Sequence, residues 1–343
     1  MNKKTVGIGM SGGVDSAAAA YLLKEQGYDV VGITMKLIDD DKSNISINDA
    51  KEVCSILGIN HYVIDLQKEF KDIVITNFID SFKNGITPNP CVVCNKHFKF
   101  GLFYDKAREL GCDLIATGHY AKIENGRLYR ADVIEKDQSY FLYGINRELL
   151  NHIIFPLQGY KNKEEIRTIA KKAGLTISHK KDSQEICFIP NDDYKSFLNN
   201  NLTKEIIIGD ICLKDGTVLG KHSGLINYTI GQRKGLNISY KEPLYVTMID
   251  KENNRVIVGS NEDLFSDTLL ATNINLLVDK KELNKDIYAK VRSRGQLRKC
   301  KVEFLSNNDI KVTLLEKERA ITKGQSVVFY DNDNCCLGGG VIN

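Results

Sequence analysis

Through its first half the chain alternates short apolar runs with longer stretches of helical periodicity. Residues 5–10, 30–35, 62–66 and 114–117 are compact runs rich in Val, Ile and Leu, which read as buried strands. Residues 15–26, 47–57, 67–82, 96–110 and 163–173 repeat their apolar positions three and four apart, the spacing of one helix face. Gly27, Gly58, Gly111 and Gly174 each stand where a helix should end, as a C′ glycine does. Strand–helix alternation of this kind predicts an α/β fold, a doubly wound parallel sheet with helices on both faces. Ligands of such sheets sit beyond the carboxyl ends of the strands. The segment 9–16, Met35 and the pair Gly118-His119 all fall there.

From about residue 206 the periodicity changes. Short strands recur between turns such as Lys214-Asp215-Gly216-Thr217, Lys251-Glu252-Asn253-Asn254 and Ser306-Asn307-Asn308-Asp309. Long helical stretches disappear, which predicts two small β domains, the last a barrel. The expected division is 1–200, 201–265 and 266–343. Neither a tandem repeat nor a low-complexity segment interrupts it.

Composition changes this picture little. A chain of 343 residues with 42% hydrophobic and 27% charged residues belongs to the globular class. No stretch approaches the ~20 apolar residues of a membrane span. Met1-Asn2-Lys3-Lys4 leads directly into the first strand, with no signal-peptide pattern, so a cytoplasmic location is expected. In a reducing compartment nine cysteines argue for thiol chemistry and packing, not for a disulfide framework. A net charge of only +3 means that any nucleic-acid surface must be local.

The densest chemistry lies in Gly9-Met10-Ser11-Gly12-Gly13-Val14-Asp15-Ser16, between the first strand and an Ala-rich helix. A glycine-rich strand-to-helix turn points backbone N–H groups and a helix N-terminus at one place, which is an anion site. Asp15 beside a phosphate calls for a bridging cation and so points to Mg²⁺. No lysine follows the glycines, so this is neither a Walker loop nor a dinucleotide fingerprint. It resembles the SGGxDS loop of the PP-loop enzymes, which cleave ATP between the α- and β-phosphates. The plain alternative is an ordinary Gly/Ser turn at a helix N-cap.

A second signal is Cys91-Val92-Val93-Cys94 after Asn89-Pro90, just before a helix. A helix N-terminus is expected to lower a thiol pKa there. Cys187 follows Lys180 and Lys181. A lone C-x-x-C fits a redox pair, half a zinc site or two buried small hydrophobes. Cys54, Cys112, Cys212, Cys300, Cys335 and Cys336 read as packing residues.

Taken together, these strings make the chain similar to the bacterial tRNA-specific 2-thiouridylases over nearly its whole length. The resemblance rests on the SGGVDS loop, Asn89-Pro90 with Cys94-Asn95, Ala116-Thr117-Gly118-His119-Tyr120 and Lys136-Asp137-Gln138-Ser139-Tyr140-Phe141-Leu142. It continues through Lys181-Asp182-Ser183-Gln184-Glu185-Ile186-Cys187-Phe188-Ile189, Tyr228-Thr229-Ile230-Gly231-Gln232-Arg233-Lys234-Gly235 and the end of the chain. It implies that ATP adenylates the wobble-uridine C2 oxygen and that sulfur then displaces AMP. It also implies that Gly9 to Ser16, Met35 and Gly118 bind ATP, that Cys187 carries a persulfide, and that Cys94 is its partner through a transient disulfide. Partners would be tRNA and either a sulfur-donor protein or free sulfide, with no membrane. The residues implied at the tRNA or target base are Asn89, Pro90, Cys91, His119, Lys136, Asp137, Gln138, Arg292, Ser293, Arg294 and Gln325.

In one place the chain departs from that pattern. Many relatives have aspartate where this chain has Cys91. Cys91, Cys94 and Cys187 are therefore also the donor set for a 4Fe–4S cluster. Between Lys290 and Lys301 six basic residues occur with no acidic one. On a strand, Lys290, Arg292 and Arg294 would share a face and form a phosphate-contacting stripe, or else a charged edge. The competing functions are another PP-loop ligase, such as an amidation synthetase acting on a small molecule, and a non-catalytic RNA-binding module. The first has no use for Cys94 and Cys187, and the second releases no pyrophosphate.

Overall fold

The computed structural model describes residues 3–175, 186–202 and 207–343. Its first unit is a five-stranded parallel sheet of β1 (Thr5–Gly9), β2 (Asp29–Lys36), β3 (Asn60–Asp65), β4 (Leu114–Ala116) and β7 (Ile153–Ile154), in the order β3-β2-β1-β4-β7. A small hairpin of β5 (Lys122–Glu124) and β6 (Arg127–Tyr129) interrupts the succession. Val6 and Ile8 pack against α1 (Val14–Glu25), α2 (Asp41–Leu57) and α7 (Lys163–Lys172). Ile33 and Ile115 face the other way, toward α6 (Phe103–Glu109). The sheet is thus covered on both faces, as the alternation predicts. Gly27, Gly58, Gly111 and Gly174 all take positive φ at helix ends. At two residues, β7 is too short to carry any periodicity.

Two expected helices are not simple α-helices. Residues 67–83 run as α3 (Gln67–Phe70), a π-helical turn (Lys71–Ile75) and α4 (Thr76–Lys83). Residues 90–109 run as α5 (Pro90–Cys94), a π-helical stretch (Asn95–Leu102) and α6. Phe70, Val74, Phe78 and Phe82 repeat every four residues and are all buried. A four-residue step drifts by about 40° on an α-helix. Wider π turns correct that drift and keep the stripe on one face.

This stripe assembles the site. Phe188, next to Cys187, meets Phe70 at 5.8 Å and Phe78 at 5.3 Å between ring centroids, and Phe70 meets Phe98 at 5.3 Å. Cys94 belongs to the same cluster, as does Leu198 of α8 (Tyr194–Asn201). Aromatic packing therefore carries the Cys187 segment to the C-x-x-C helix across a long sequence separation.

Next comes a four-stranded sheet of β8 (Gly209–Leu213), β9 (Val218–His222), β10 (Tyr245–Asp250) and β11 (Arg255–Gly259), in the order β10-β11-β8-β9. Last is a closed six-stranded barrel of β12 (Phe265–Leu276), β13 (Ile287–Lys290), β14 (Arg298–Phe304), β15 (Ile310–Arg319), β16 (Ser326–Tyr330) and β17 (Cys336–Ile342). The barrel docks on the first unit through the 139–145 segment. Tyr140 donates to the Ser326 carbonyl at 2.9 Å, Ser139 and Tyr330 hydroxyls lie 3.0 Å apart, and Asn275 donates to the Ile145 carbonyl at 2.9 Å. No helix among the described residues is long and apolar enough to cross a membrane.

Candidate functional site

The glycine-rich loop leaves β1 and enters α1 at the carboxyl edge of the sheet. Gly12 has φ +67°, and a Cβ there would stand 2.4 Å from the Ser46 carbonyl oxygen, so the turn admits only glycine. Ser16 Oγ donates to the Gly13 carbonyl at 2.9 Å and lies 3.2 Å from both the Ser11 amide nitrogen and the Ser11 hydroxyl. α1 starts at Gly13 with no side-chain cap, which leaves its N-terminal amides and dipole for an anion. Met10 is buried under Thr34, whose hydroxyl donates to the Met10 carbonyl at 2.9 Å. Met35 lies at the end of β2.

Gly118 follows β4 and closes on this loop. A Cβ on Gly118 would lie 3.2 Å from both the Asp15 carbonyl carbon and the Ser16 nitrogen. These neighbours are backbone and cannot step aside. Gly118→Ala is expected to weaken ATP binding about tenfold with tRNA binding unchanged, as read by equilibrium titration of each ligand.

Asp15 corrects one expectation. Its carboxylate accepts from Lys163 Nζ at 2.6 Å and from the Tyr120 hydroxyl at 2.9 Å. Lys163, the first residue of α7, supplies the positive charge that the sequence reading sought in Mg²⁺, so Asp15 by itself is no argument for the metal. Nothing in the local spacing reveals Lys163, because it lies 148 residues away.

The three cysteines gather beside the same edge. Cys91 and Cys187 are exposed, Cys94 is buried, and all three are free thiols. Cys94 ends α5 and is not at its N-terminus, so the expected helix activation does not reach it. Burial pushes the Cys94 thiol up to about 12, and Cys187 and Cys91 add to the rise while Lys99 opposes it. Although both residues keep exposed surface, protein packed around their sulfur atoms desolvates and raises the Cys91 and Cys187 thiols, again with Lys99 opposing, and Lys42 opposes the rise at Cys187. The expected cations, Lys180 and Lys181, lie outside the described residues. Among the described residues, no three His, Cys, Asp or Glu side chains form a single-ion site. Asn89 caps α5, accepting from the Val92 amide at 3.4 Å, and Pro90 occupies the first turn.

His119 is buried between Thr117 Oγ1, at 2.7 Å from Nδ1, and Lys99 Nζ, at 3.3 Å from Nε2. Desolvation, then the Lys99 charge, holds its pKa well below the usual histidine value, so the ring is neutral.

The residues expected to meet tRNA are not all surface groups. Lys136 Nζ lies 4.9 Å from the centre of the Tyr120 ring, and Gln138 accepts from the Tyr120 amide at 2.9 Å. Asp137 is turned inward with a fully buried side chain. It accepts from Arg130 at 3.1 Å and from the Ala131 and Ser139 amides, so its carboxylate supports the loop and does not meet RNA. Gln325 donates to the Thr87 and Pro88 carbonyls and fixes the approach to the C-x-x-C helix.

The proposed basic stripe is also corrected. β13 ends at Lys290, and residues 291–297 form a turn, so strand alternation does not apply. Lys290 is buried over the Tyr140 ring. Arg292 pairs with Glu318 at 2.8 Å, Arg298 with Glu316 and Glu318, and Lys299 with Asp286. Arg294 stays exposed, and Ser293 is partly so. Arg292→Ala is expected to cost stability on the order of 1 kcal/mol in chemical denaturation. Arg294→Ala, and not Arg292→Ala, should flatten the salt dependence of RNA binding, by roughly one unit of log–log slope.

Comparison with known proteins agrees with this geometry. The profile of the tRNA methyl transferase HUP domain matches residues 4–191, more than half of the chain. The tRNA methyl transferase PRC-barrel domain matches residues 195–260, and the Aminomethyltransferase beta-barrel domain matches residues 266–342. The chain is 50% identical to tRNA-specific 2-thiouridylase MnmA 1 of Clostridium tetani, over 99% of this chain and 97% of that one. It is 46% identical to tRNA-specific 2-thiouridylase MnmA of Clostridioides difficile, over 100% of this chain and 98% of that one. A solved structure of the U34-tRNA thiolase NcsA from Methanococcus maripaludis with its [4Fe-4S] cluster is 22% identical, covers 58% of this chain and 65% of that one, and has a TM-score of 0.38. The chain belongs to the tRNA-specific 2-thiouridylase family.

Proposed function

We propose that this chain is an ATP-dependent tRNA uridine 2-sulfurtransferase acting on the wobble position. The observation that carries the reading is a junction. A pyrophosphate-type loop and three mutually interacting thiols lie at one end of one sheet, with Gly118 and His119 between them. A small-molecule amidation synthetase needs only the first half of that arrangement, and an RNA-binding module needs neither.

Uridine O2 is a poor leaving group and must first be activated. ATP binds with Gly9 to Ser16 against the phosphates and Met35 and Gly118 along the nucleoside, and Mg²⁺, when bound with it, would neutralise phosphate charge. Uridine O2 attacks the α-phosphorus, and pyrophosphate departs with the electron pair of the broken P–O bond. Sulfur then bonds to C2, and AMP leaves with the C2–O2 pair. The RNA is held by the Asn89–Cys91 turn, Lys136, Gln138, Arg294 and the surface around Gln325. A target base in the anticodon loop is already unpaired, so extruding it costs only a few kcal/mol.

In the persulfide form of the reaction, a donor protein of the desulfurase class loads Cys187. The terminal sulfur attacks C2, and the Cys94 thiolate then attacks Cys187 Sγ. This frees the 2-thiouridine and forms a Cys94–Cys187 disulfide, which an external dithiol reduces. Cys91, Cys94 and Cys187, whose charges act on one another, would be the three thiolates that hold a 4Fe–4S cluster, and its binding would displace the protons that desolvation keeps on these thiols. When bound, such a cluster would bring free sulfide to the base through its open iron.

The reading is tested by nucleoside mass spectrometry of tRNA incubated with the protein, ATP and a sulfide source. 2-Thiouridine that appears only with ATP is the expected result. Its absence under every reconstitution, aerobic or with iron and sulfide, would overturn the assignment.

A further inference from the structure

Lys99 belongs to none of the sequence motifs, yet it hydrogen-bonds His119 and acts electrostatically on all three cysteines. Five residues beyond Cys94, on an α-helix it would lie about 140° around the axis from that cysteine. The stretch Asn95–Leu102 is π-helical, with the Phe103 amide reaching back to the Phe98 carbonyl. Its wider turn brings Lys99 back toward the Cys94 side. Single π turns inside α-helices are a recurrent device at functional sites.

The ammonium is aimed from its other side by His119. That ring is neutral and buried, so Nε2 accepts from Lys99 Nζ at 3.3 Å, and Nδ1 carries the proton toward Thr117 Oγ1 at 2.7 Å. The neighbouring Gly118 rests on the Asp15–Ser16 backbone of the phosphate loop. Among the described residues no carboxylate pairs with Lys99. Lys163, the cation at the phosphate loop itself, is held by Asp15 at 2.6 Å. The Lys99 charge is also within electrostatic reach of all three thiols.

Thiolation requires three reactants to converge: the α-phosphate, uridine C2–O2 and the incoming sulfur. Negative charge builds on the α-phosphate oxygens as O2 attacks, and it returns to the same phosphate when AMP leaves. A cation held by a neutral acceptor between the phosphate loop and the thiols is placed for that charge. We propose that Lys99 is a catalytic residue of the reaction, contacting the phosphate that joins AMP to uridine O2, with His119 positioning it. The proposal rests on the thiolation reading above and assigns a residue within it. Fixed charges aimed at developing anions typically contribute 10²–10³ in rate.

The experiment uses the full-length protein with ATP and unmodified tRNA. It compares Lys99→Met, Lys99→Gln and Lys99→Arg with wild type. Lys99→Gln removes the charge and keeps an N–H donor on a side chain one bond shorter. Single-turnover pyrophosphate release should fall about 100-fold in Lys99→Met and Lys99→Gln, and 2-thiouridine formation should fall with it. Equilibrium binding of ATP and of tRNA should stay within about threefold of wild type, less than 1 kcal/mol. Lys99→Arg should recover most of the rate. Wild-type pyrophosphate release in Lys99→Gln would overturn the proposal, and so would an Arg variant as slow as the Met variant with an unchanged melting temperature. Wild-type protein that makes no 2-thiouridine in the same assay would instead count against the thiolation reading itself.

Discussion

Cys187→Ser protein is expected to form no detectable 2-thiouridine, and Cys94→Ser protein none either. Cys94 sits in the aromatic cluster around Phe70, Phe78 and Phe98, and Phe188, next to Cys187, packs into the same cluster and brings the second thiol to it. The Ser variants keep the shape of the side chain and remove only the sulfur, so folding and ATP binding should survive. Cys91→Ser separates the two routes for sulfur. If Cys187 carries a persulfide, Cys91 is a bystander and its Ser variant keeps measurable thiolation with a desulfurase donor. If the three thiols hold a cluster, the same variant loses bound iron, acid-labile sulfide and activity together, and aerobic wild-type protein is inactive as well. Under oxidation without iron, peptide mapping should recover a Cys94–Cys187 disulfide, or a Cys91–Cys187 one where Cys91 reaches Cys187 first. A fully active Cys187→Ser enzyme would defeat both routes.

The second large effect is expected at Asp15. Asp15→Ala removes the acceptor of both Lys163 and the Tyr120 hydroxyl. Lys163 is then left without its carboxylate at the mouth of the phosphate loop, and the α1–α7 contact loosens. Thiolation should fall on the order of 100-fold or more, with tRNA affinity nearly intact, because the proposed reading places Asp15 at the nucleotide and not at the RNA. Ser11→Ala should act in the same direction, since the Ser11 and Ser16 hydroxyls define the inner wall of the turn. The measurement is ATP-dependent 2-thiouridine formation alongside tRNA binding by filter retention. Undiminished thiolation by Asp15→Ala would remove the case for this loop as the ATP site.

Much of the fold is legible in the sequence because local rules and the tertiary structure agree there. β1, β2 and β4 carry buried apolar runs, and four helices end at glycines with positive φ, whereas β3, read as buried, is an edge strand that leaves Tyr62 and Val63 exposed. The phosphate loop is legible for the same reason, since its conformation is a local property of Gly12 and its neighbours. The helix at 96–110 reads as regular, because α and π registers share one apolar pattern over so short a span. Long-range electrostatics are invisible in the sequence. Lys163 meets Asp15 across 148 residues and Arg292 meets Glu318 across 26. Lys290 reads as one of a basic run, and only the docking of the barrel on Tyr140 shows that it is buried. Thiol reactivity is misjudged in the same way, because sequence places Cys94 near a helix start while burial in the aromatic cluster sets its acidity.

The most direct test of the account counts two products in one reaction: AMP from ATP, and 2-thiouridine in tRNA. The reaction is run to completion with limiting tRNA and a sulfur source, alongside a tRNA carrying cytidine at the wobble position. The account predicts one AMP for each 2-thiouridine formed and neither product with the cytidine tRNA. 2-Thiouridine formed without AMP, or AMP formed equally well with the cytidine tRNA, would contradict it.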